Sequence, residues 1–249
     1  MDWDVLLEKI ENNPVLYKAK LERMISYLKK KENILFLTTS NRWEGHEDDT
    51  PKSTQLAYYI REQLPEKNIK IIDVPKLKIY PCEGNVSSKW GNTCGLKKAA
   101  LEDKSKNPTG NHRCWASINN KDDELWKISK PLFESDAVVF FTSVRWGQAN
   151  MFYQKLIERL TWIENRHSTL GESNLLENID SGVVIIGQNY HGKNVLSTQK
   201  AVLEFFGFKV PDSLSFNWQY TSDALDETAK SYKLAIKVFN TVFGILTKK

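Results

Sequence analysis

The feature that most limits what this chain can become is a short apolar run, Ala137-Val138-Val139-Phe140-Phe141, set between Ser135-Asp136 and a polar stretch. Five consecutive apolar residues, most of them β-favouring, suit a strand buried on both faces of a parallel sheet. The stretch that follows, Thr142-Ser143-Val144-Arg145-Trp146-Gly147, reads as a polar loop carrying one aromatic ring, one cation and a glycine. Apolar residues then recur at Met151, Leu156, Ile157, Leu160 and Ile163, with Lys155, Glu158 and Arg159 between them, which is a helical rhythm. Strand, loop and helix make half of a βαβ unit. Ligands of such sheets bind at the carboxyl ends of the strands, where this loop lies.

Further buried strands read at residues 34–37, 69–74 and 182–186, and an edge strand is expected within 208–216. Helices read from Thr50 (as N-cap, with Pro51 in the first turn), over 124–134 and 195–206, and over 223–246 as a long closing helix. Alternating strands and helices predict an α/β fold: a doubly wound, five-stranded parallel sheet with helices on both faces and right-handed crossovers. Residues 1–33 form an N-terminal helical extension, interrupted at Asn12-Asn13-Pro14. Leu6, Leu7 and Ile10 mark one apolar face, and Leu16, Leu21, Met24, Ile25 and Leu28 the next. Packing or oligomer contacts are its expected roles. Residues 34–249 form the ligand-binding domain, with a long insert at 77–123. Such an insert is either functional, as a lid is, or disordered; Trp90 and Trp115, read as buriable, argue for order.

Composition excludes several classes. The 249 residues are 41% hydrophobic and 27% charged, as in ordinary globular proteins, and a formal charge of +4 is weak support for nucleic acid as a partner. Lys29-Lys30-Lys31 and Lys248-Lys249 read as solvated helix ends. No apolar run is long enough to span a bilayer, and Met1-Asp2-Trp3-Asp4 lacks a basic signal-peptide start. The expected setting is the cytoplasm, with the three cysteines reduced. Cys82, Cys94, His112 and Cys114 have ligand types that suit zinc, but none of their gaps is the short knuckle of structural sites. Loose thiols or a redox pair are expected there, and no metal. No GxSxG elbow marks a serine hydrolase.

Two strand ends besides the central one carry site chemistry. After the first strand come Ser40, Asn41 and Arg42, then a second set of polar residues, Ser53 and Thr54, where a helix begins. A helix N-terminus beside hydroxyls and an arginine attracts phosphate. No Walker or GxGxxG pattern follows this strand, so a mononucleotide held mainly by hydroxyls is expected. After the strand at 182–186 come Gly187-Gln188-Asn189-Tyr190-His191-Gly192-Lys193, with glycines for close approach, an aromatic and two amides. His191 is given no catalytic step.

Taken together, Ser40-Asn41-Arg42 with Ser53-Thr54-Gln55-Leu56-Ala57, Ser135 through Val139 with Trp146-Gly147, and Lys155-Leu156-Ile157-Glu158-Arg159 resemble the flavodoxin-like NAD(P)H-dependent oxidoreductases, the FMN reductase and quinone reductase group. The resemblance covers roughly residues 34–216. It implies a flavodoxin-like fold, FMN as cofactor, NAD(P)H as co-substrate, a quinone, flavin or other small-molecule electron acceptor, and a homodimer or higher homo-oligomer. It places the FMN phosphate at Ser40, Arg42, Ser53 and Thr54. One ring edge falls to Ser143, Val144, Arg145, Trp146 and Gly147, the other to Gln188, Asn189, Tyr190 and Gly192. Arg145 or Lys193 would favour negative charge on the reduced ring. Some relatives are iron–sulfur flavoproteins, and Asp122-Asp123-Glu124 resembles their acidic turn. The compact cysteines of a cluster are missing here, so no iron–sulfur site is carried over. Two other readings stay open: an electron carrier serving protein partners, and a cofactor-free interaction protein.

Overall fold

In the computed structural model of the protein, the described residues are 14–41, 50–187 and 191–219, with Lys237 and Phe239. Expectations for 1–13, for Arg42, for Gln188, Asn189 and Tyr190, and for most of the closing helix lie outside them.

The chain enters as helix α1 (Pro14–Leu28), then alternates: β1 (Asn33–Thr38), α2 (Lys52–Glu62), β2 (Asn68–Asp73), the insert with its short helix α3 (Trp115–Asn119), α4 (Trp126–Phe133) and β3 (Ala137–Arg145). A two-residue strand β4 (Gln148–Ala149), α5 (Met151–Ser168), β5 (Asp180–Gly187), α6 (Gly192–Phe205) and β6 (Phe216–Gln219) follow. The strand order is β2-β1-β3-β5-β6, and every neighbouring pair on that path is parallel; β4 pairs antiparallel with β3 alone. This is the flavodoxin-like order, in which the winding reverses between β1 and β3.

Alternation along the strands supplies two cores. Leu35, Leu37, Val138, Phe140, Val183 and Ile185 lie beneath α4, α5 and α6. Ile34, Phe36, Val139, Phe141, Val184 and Ile186 lie beneath α1 and α2. On α1, Leu21, Met24 and Leu28 recur on one face and are each 0% exposed. Full burial of such a side chain stabilises by roughly 1.5–3 kcal/mol, so α1 is a structural layer of the fold. Tyr17 extends that layer, stacking on Trp218 of β6 at 4.5 Å. Within β5, Gly182 admits no side chain: a Cβ there would lie 2.1 Å from the Leu214 carbonyl oxygen.

Some boundaries differ from the sequence pattern. Pro51 has ψ 136, so α2 starts at Lys52 and no side chain caps it; Thr50 contributes its carbonyl, which accepts from Gln55 Nε2 at 2.7 Å. β3 runs on through Thr142 and Ser143, which pair with Ile185 and Ile186 of β5, and through Val144 and Arg145, where β4 folds back and pairs them with Ala149 and Gln148. The stretch read as a loop is thus mostly strand.

The insert is ordered, but not through both of its tryptophans. Trp115 donates its indole N–H to the Thr93 carbonyl at 2.8 Å, whereas Trp90 is 78% exposed. Order comes instead from polar side chains of α5. Asn165 donates to the Cys94 carbonyl at 2.6 Å, Arg166 to the Asn111 carbonyl at 3.0 Å, and Arg159 binds Asp123. Arg159, which the helical rhythm puts among the polar positions, is 1% exposed because the insert covers that side of the helix. Among the described residues no helix is long and apolar enough to cross a membrane.

Candidate functional site

The carboxyl ends of β1 and β3 are adjacent, since Thr38 is in register with Phe141. Both strands run into hydroxyl residues there. Thr39 and Ser40 follow β1, Thr142 and Ser143 belong to β3, and the first turn of α2 brings up Ser53 and Thr54. Ser53 Oγ donates to Ser40 Oγ at 2.8 Å, so two of the expected phosphate residues meet directly. Thr54, 5% exposed, has no hydrogen-bond partner for its hydroxyl among the described residues. A buried hydroxyl without a partner is costly, and its position beside the N-terminal N–H groups of a helix suits an anion.

The residue that joins these hydroxyls is Asn150, which the sequence reading passed over. Its Oδ1 accepts from the Tyr153 backbone N–H at 3.1 Å, capping α5. That bond fixes the amide orientation and turns Nδ2 towards four hydroxyl oxygens: Thr142 at 3.0 Å, Ser143 at 3.1 Å, Thr39 at 3.2 Å and Ser40 at 3.4 Å. Asparagine directly before a helical rhythm is a readable N-cap signal. Nothing local announces the second task, because Thr39 and Ser40 lie 111 and 110 residues away along the chain.

Proton counting then describes the cluster. Ser53 donates to Ser40, and Thr39 donates to the Phe141 carbonyl at 3.2 Å. Ser40, Thr142 and Ser143 all accept from Asn150. Among the described residues no acceptor receives the protons of Ser40, Thr142, Ser143 or Thr54. The cluster is rich in donors and short of acceptors. At the neighbouring β2 end the one carboxylate, Asp73, is already engaged, accepting from Thr38 Oγ1 at 3.0 Å and paired with Lys76 at 3.5 Å.

Val144 is half-buried, and Arg145, at the end of β3, is exposed. The chain then reverses through Trp146 (φ 49) and Gly147 (φ 71), both in the positive-φ geometry that matches the twist of a two-residue hairpin. Trp146 is 93% exposed. A bulky residue in the left-handed region costs roughly 1–2 kcal/mol, and an indole held in water forgoes its burial, so two costs fall on one residue at the rim. On the β5 side, Gly187 lets the strand ends close up: a Cβ there would lie 2.8 Å from that of Val144. Gly192 begins α6 and is buried; a Cβ there would come within 2.7 Å of the Asn217 side chain. A side chain at 192 would therefore have to displace the Asn217 amide of β6.

No protein-family model matches the chain, and no curated protein sequence matches it either. Solved structures do resemble it in fold. RosB, in a structure titled with bound 8-demethyl-8-formylriboflavin-5'-phosphate, aligns over 88% of this chain and 81% of its own, with TM-score 0.54 and 13% identity. An azoreductase from Bacillus anthracis str. Sterne aligns over 88% of this chain and all (100%) of its own, with TM-score 0.51 and 15% identity. Azoreductase AzrA aligns over 87% and 100%, with TM-score 0.51 and 14% identity. The chain thus has the flavodoxin-like α/β fold, as the strand order also states.

Proposed function

We propose that the protein is an FMN-dependent oxidoreductase that takes hydride from NAD(P)H and passes electrons to a small acceptor such as a quinone or a free flavin. The observation that carries this reading is the donor-rich hydroxyl cluster at the β1/β3 reversal. Four hydroxyl protons without acceptors among the described residues, beside a helix N-terminus, suit a phosphate ester. RosB, similar in fold and solved with bound 8-demethyl-8-formylriboflavin-5'-phosphate, supports a flavin as the group attached to it, and the azoreductases support a reductase role.

Ser40, Ser53 and Thr54, with Arg42, would hold the phosphate. Ser143, Val144, Arg145, Trp146 and Gly147 would border one side of the ring system, and Gln188, Asn189, Tyr190 and Gly192 the other. When bound, FMN supplies the hydride-accepting chemistry, as cofactors of this kind do. The chain's own contribution is to orient the ring and keep one face open to the nicotinamide and then to the acceptor. Arg145 adds positive charge at the rim, and Trp146 offers a flat apolar surface where aromatic acceptors would stack. The reading extends to a cytoplasmic homodimer or higher homo-oligomer without a nucleic-acid partner.

The test is a visible absorbance spectrum of the purified protein with and without added FMN, followed by NADPH. Flavin bands that bleach on adding NADPH and return with a quinone are expected. Protein that takes up no FMN, or holds FMN that neither NADPH nor NADH bleaches, would sink the oxidoreductase reading. The combined variant Arg42→Ala, Ser53→Ala, Thr54→Val is expected to weaken FMN binding by at least about 100-fold. Hydrogen bonds to a charged group each contribute roughly 1.5–3 kcal/mol, and every 1.4 kcal/mol is tenfold.

A further inference from the structure

The hydroxyl cluster could have been organised the other way round, with its protons turned inward and its lone pairs facing the ligand. Asn150 prevents this. Its amide is locked by the Tyr153 N–H on Oδ1, so the cluster meets only an N–H donor group at its centre. Two amide protons face four oxygens at 3.0–3.4 Å, which directs lone pairs of Thr39, Ser40, Thr142 and Ser143 inward. Ser40 also accepts from Ser53, so its own proton must point away from both donors. The Thr39 proton stays on the Phe141 carbonyl, while Ser40, Thr142 and Ser143, oriented in this way, turn their protons away from Asn150 and are complementary to a dianion.

We propose that Asn150 is the positioning residue that sets the polarity of this cluster, and so makes the site select a phosphorylated flavin over the same flavin without phosphate. The proposal rests on the FMN reading and adds to it a residue that need not touch the ligand. It acts through Ser40, Thr142 and Ser143. Asn150 is 7% exposed, and its Nδ2 reaches both strands at the reversal, so one side chain sets both halves of the cluster.

The decisive variant is Asn150→Asp. Aspartate keeps the shape and the N-cap, since one carboxylate oxygen still accepts from the Tyr153 N–H. The other oxygen replaces a donor with a charged acceptor, so the hydroxyls turn inward to it and a negative charge stands behind them. Dissociation constants for FMN and for riboflavin are read from quenching of flavin fluorescence, with far-UV circular dichroism as the check on folding. FMN is expected to bind about 100-fold more weakly to the variant, while riboflavin changes by less than about threefold. Asn150→Ser, which caps the helix but is too short to reach all four hydroxyls, should show the same selectivity at about tenfold, and it decides the matter if the aspartate variant fails to fold. FMN and riboflavin weakened equally, or FMN affinity unchanged, overturns the proposal while leaving the FMN reading intact. Wild-type protein that binds neither flavin overturns the FMN reading, and this inference with it.

Discussion

Replacing Asp123 with alanine is expected to destabilise the protein by about 3–5 kcal/mol, the range for breaking one side of a buried ion pair. Asp123 and Arg159 are both 0% exposed as side chains. The pair is two-pronged, with Nη1 donating to Oδ1 at 2.8 Å and Nη2 to Oδ2 at 3.0 Å. Burial alone would raise the Asp123 carboxyl, but the hydrogen bonds and charge of Arg159 outweigh it and hold the group below its ordinary value. The same guanidinium donates to the Tyr80 carbonyl at 2.6 Å and to Ser117 Oγ at 2.9 Å, and Asp123 Oδ1 accepts from the Tyr80 N–H at 3.1 Å. Both ends of the insert therefore meet on α5. Without the carboxylate, a cation stays buried against carbonyl and hydroxyl groups that do not neutralise it. Urea denaturation of Asp123→Ala checks the magnitude. The double variant Asp123→Leu, Arg159→Met should regain a large part of the loss, because an apolar pair of similar volume no longer carries an uncompensated charge. A single variant within about 1 kcal/mol of wild type would show that the insert is fastened elsewhere.

That fastening separates what was legible in the sequence from what was not. Apolar runs such as Val138 to Phe141 announce buried strands because they are short, bounded by polar residues and made of β-branched and aromatic side chains, and the helical rhythm of α5 is equally plain. The sheet followed from these. The site was half legible: Ser40, Ser53 and Thr54 could be named from residue type and from a helix starting nearby, and two of them meet. Asn150 could be read only as a cap, since its other partners come from the far side of a chain reversal. Arg159 was misplaced for a related reason. Periodicity states which side of a helix is polar, not whether an insert from earlier in the chain will bury that side with a carboxylate of its own. Trp90 shows the converse, a large aromatic that the fold leaves in water.

Acidification should expose the second large effect, which belongs to His112. The imidazole is 1% exposed, its centroid lies 5.1 Å from the Trp162 ring, and its Nδ1 is 2.6 Å from Ser129 Oγ; Nε2 has no partner among the described residues. Burial pushes its pKa down from 6.5 to about 4, the nearby Asp123 charge opposing the fall and Arg159 adding to it. The unfolded chain therefore takes up a proton below pH 6.5 that the folded protein refuses until about pH 4. Stability from neutral His112 is fully present above pH 6.5 and drains away as the pH falls towards 4. At 1.36 kcal/mol per pKa unit the loss comes to about 3 kcal/mol. Glu124 and Glu172, whose carboxyls are held below 4.5, and Asp123, held below 3.8, start to take up protons in the unfolded chain about one unit above those values and add their own loss from there down. The interval from pH 6.5 to about 5.5 therefore reports mainly on the histidine. Urea midpoints measured across it should fall steadily for wild type and stay nearly level for His112→Gln, whatever the variant's stability at pH 7. A wild-type profile as flat as the variant's would mean that the imidazole reaches solvent, or a compensating acid, before the rest of the fold gives way.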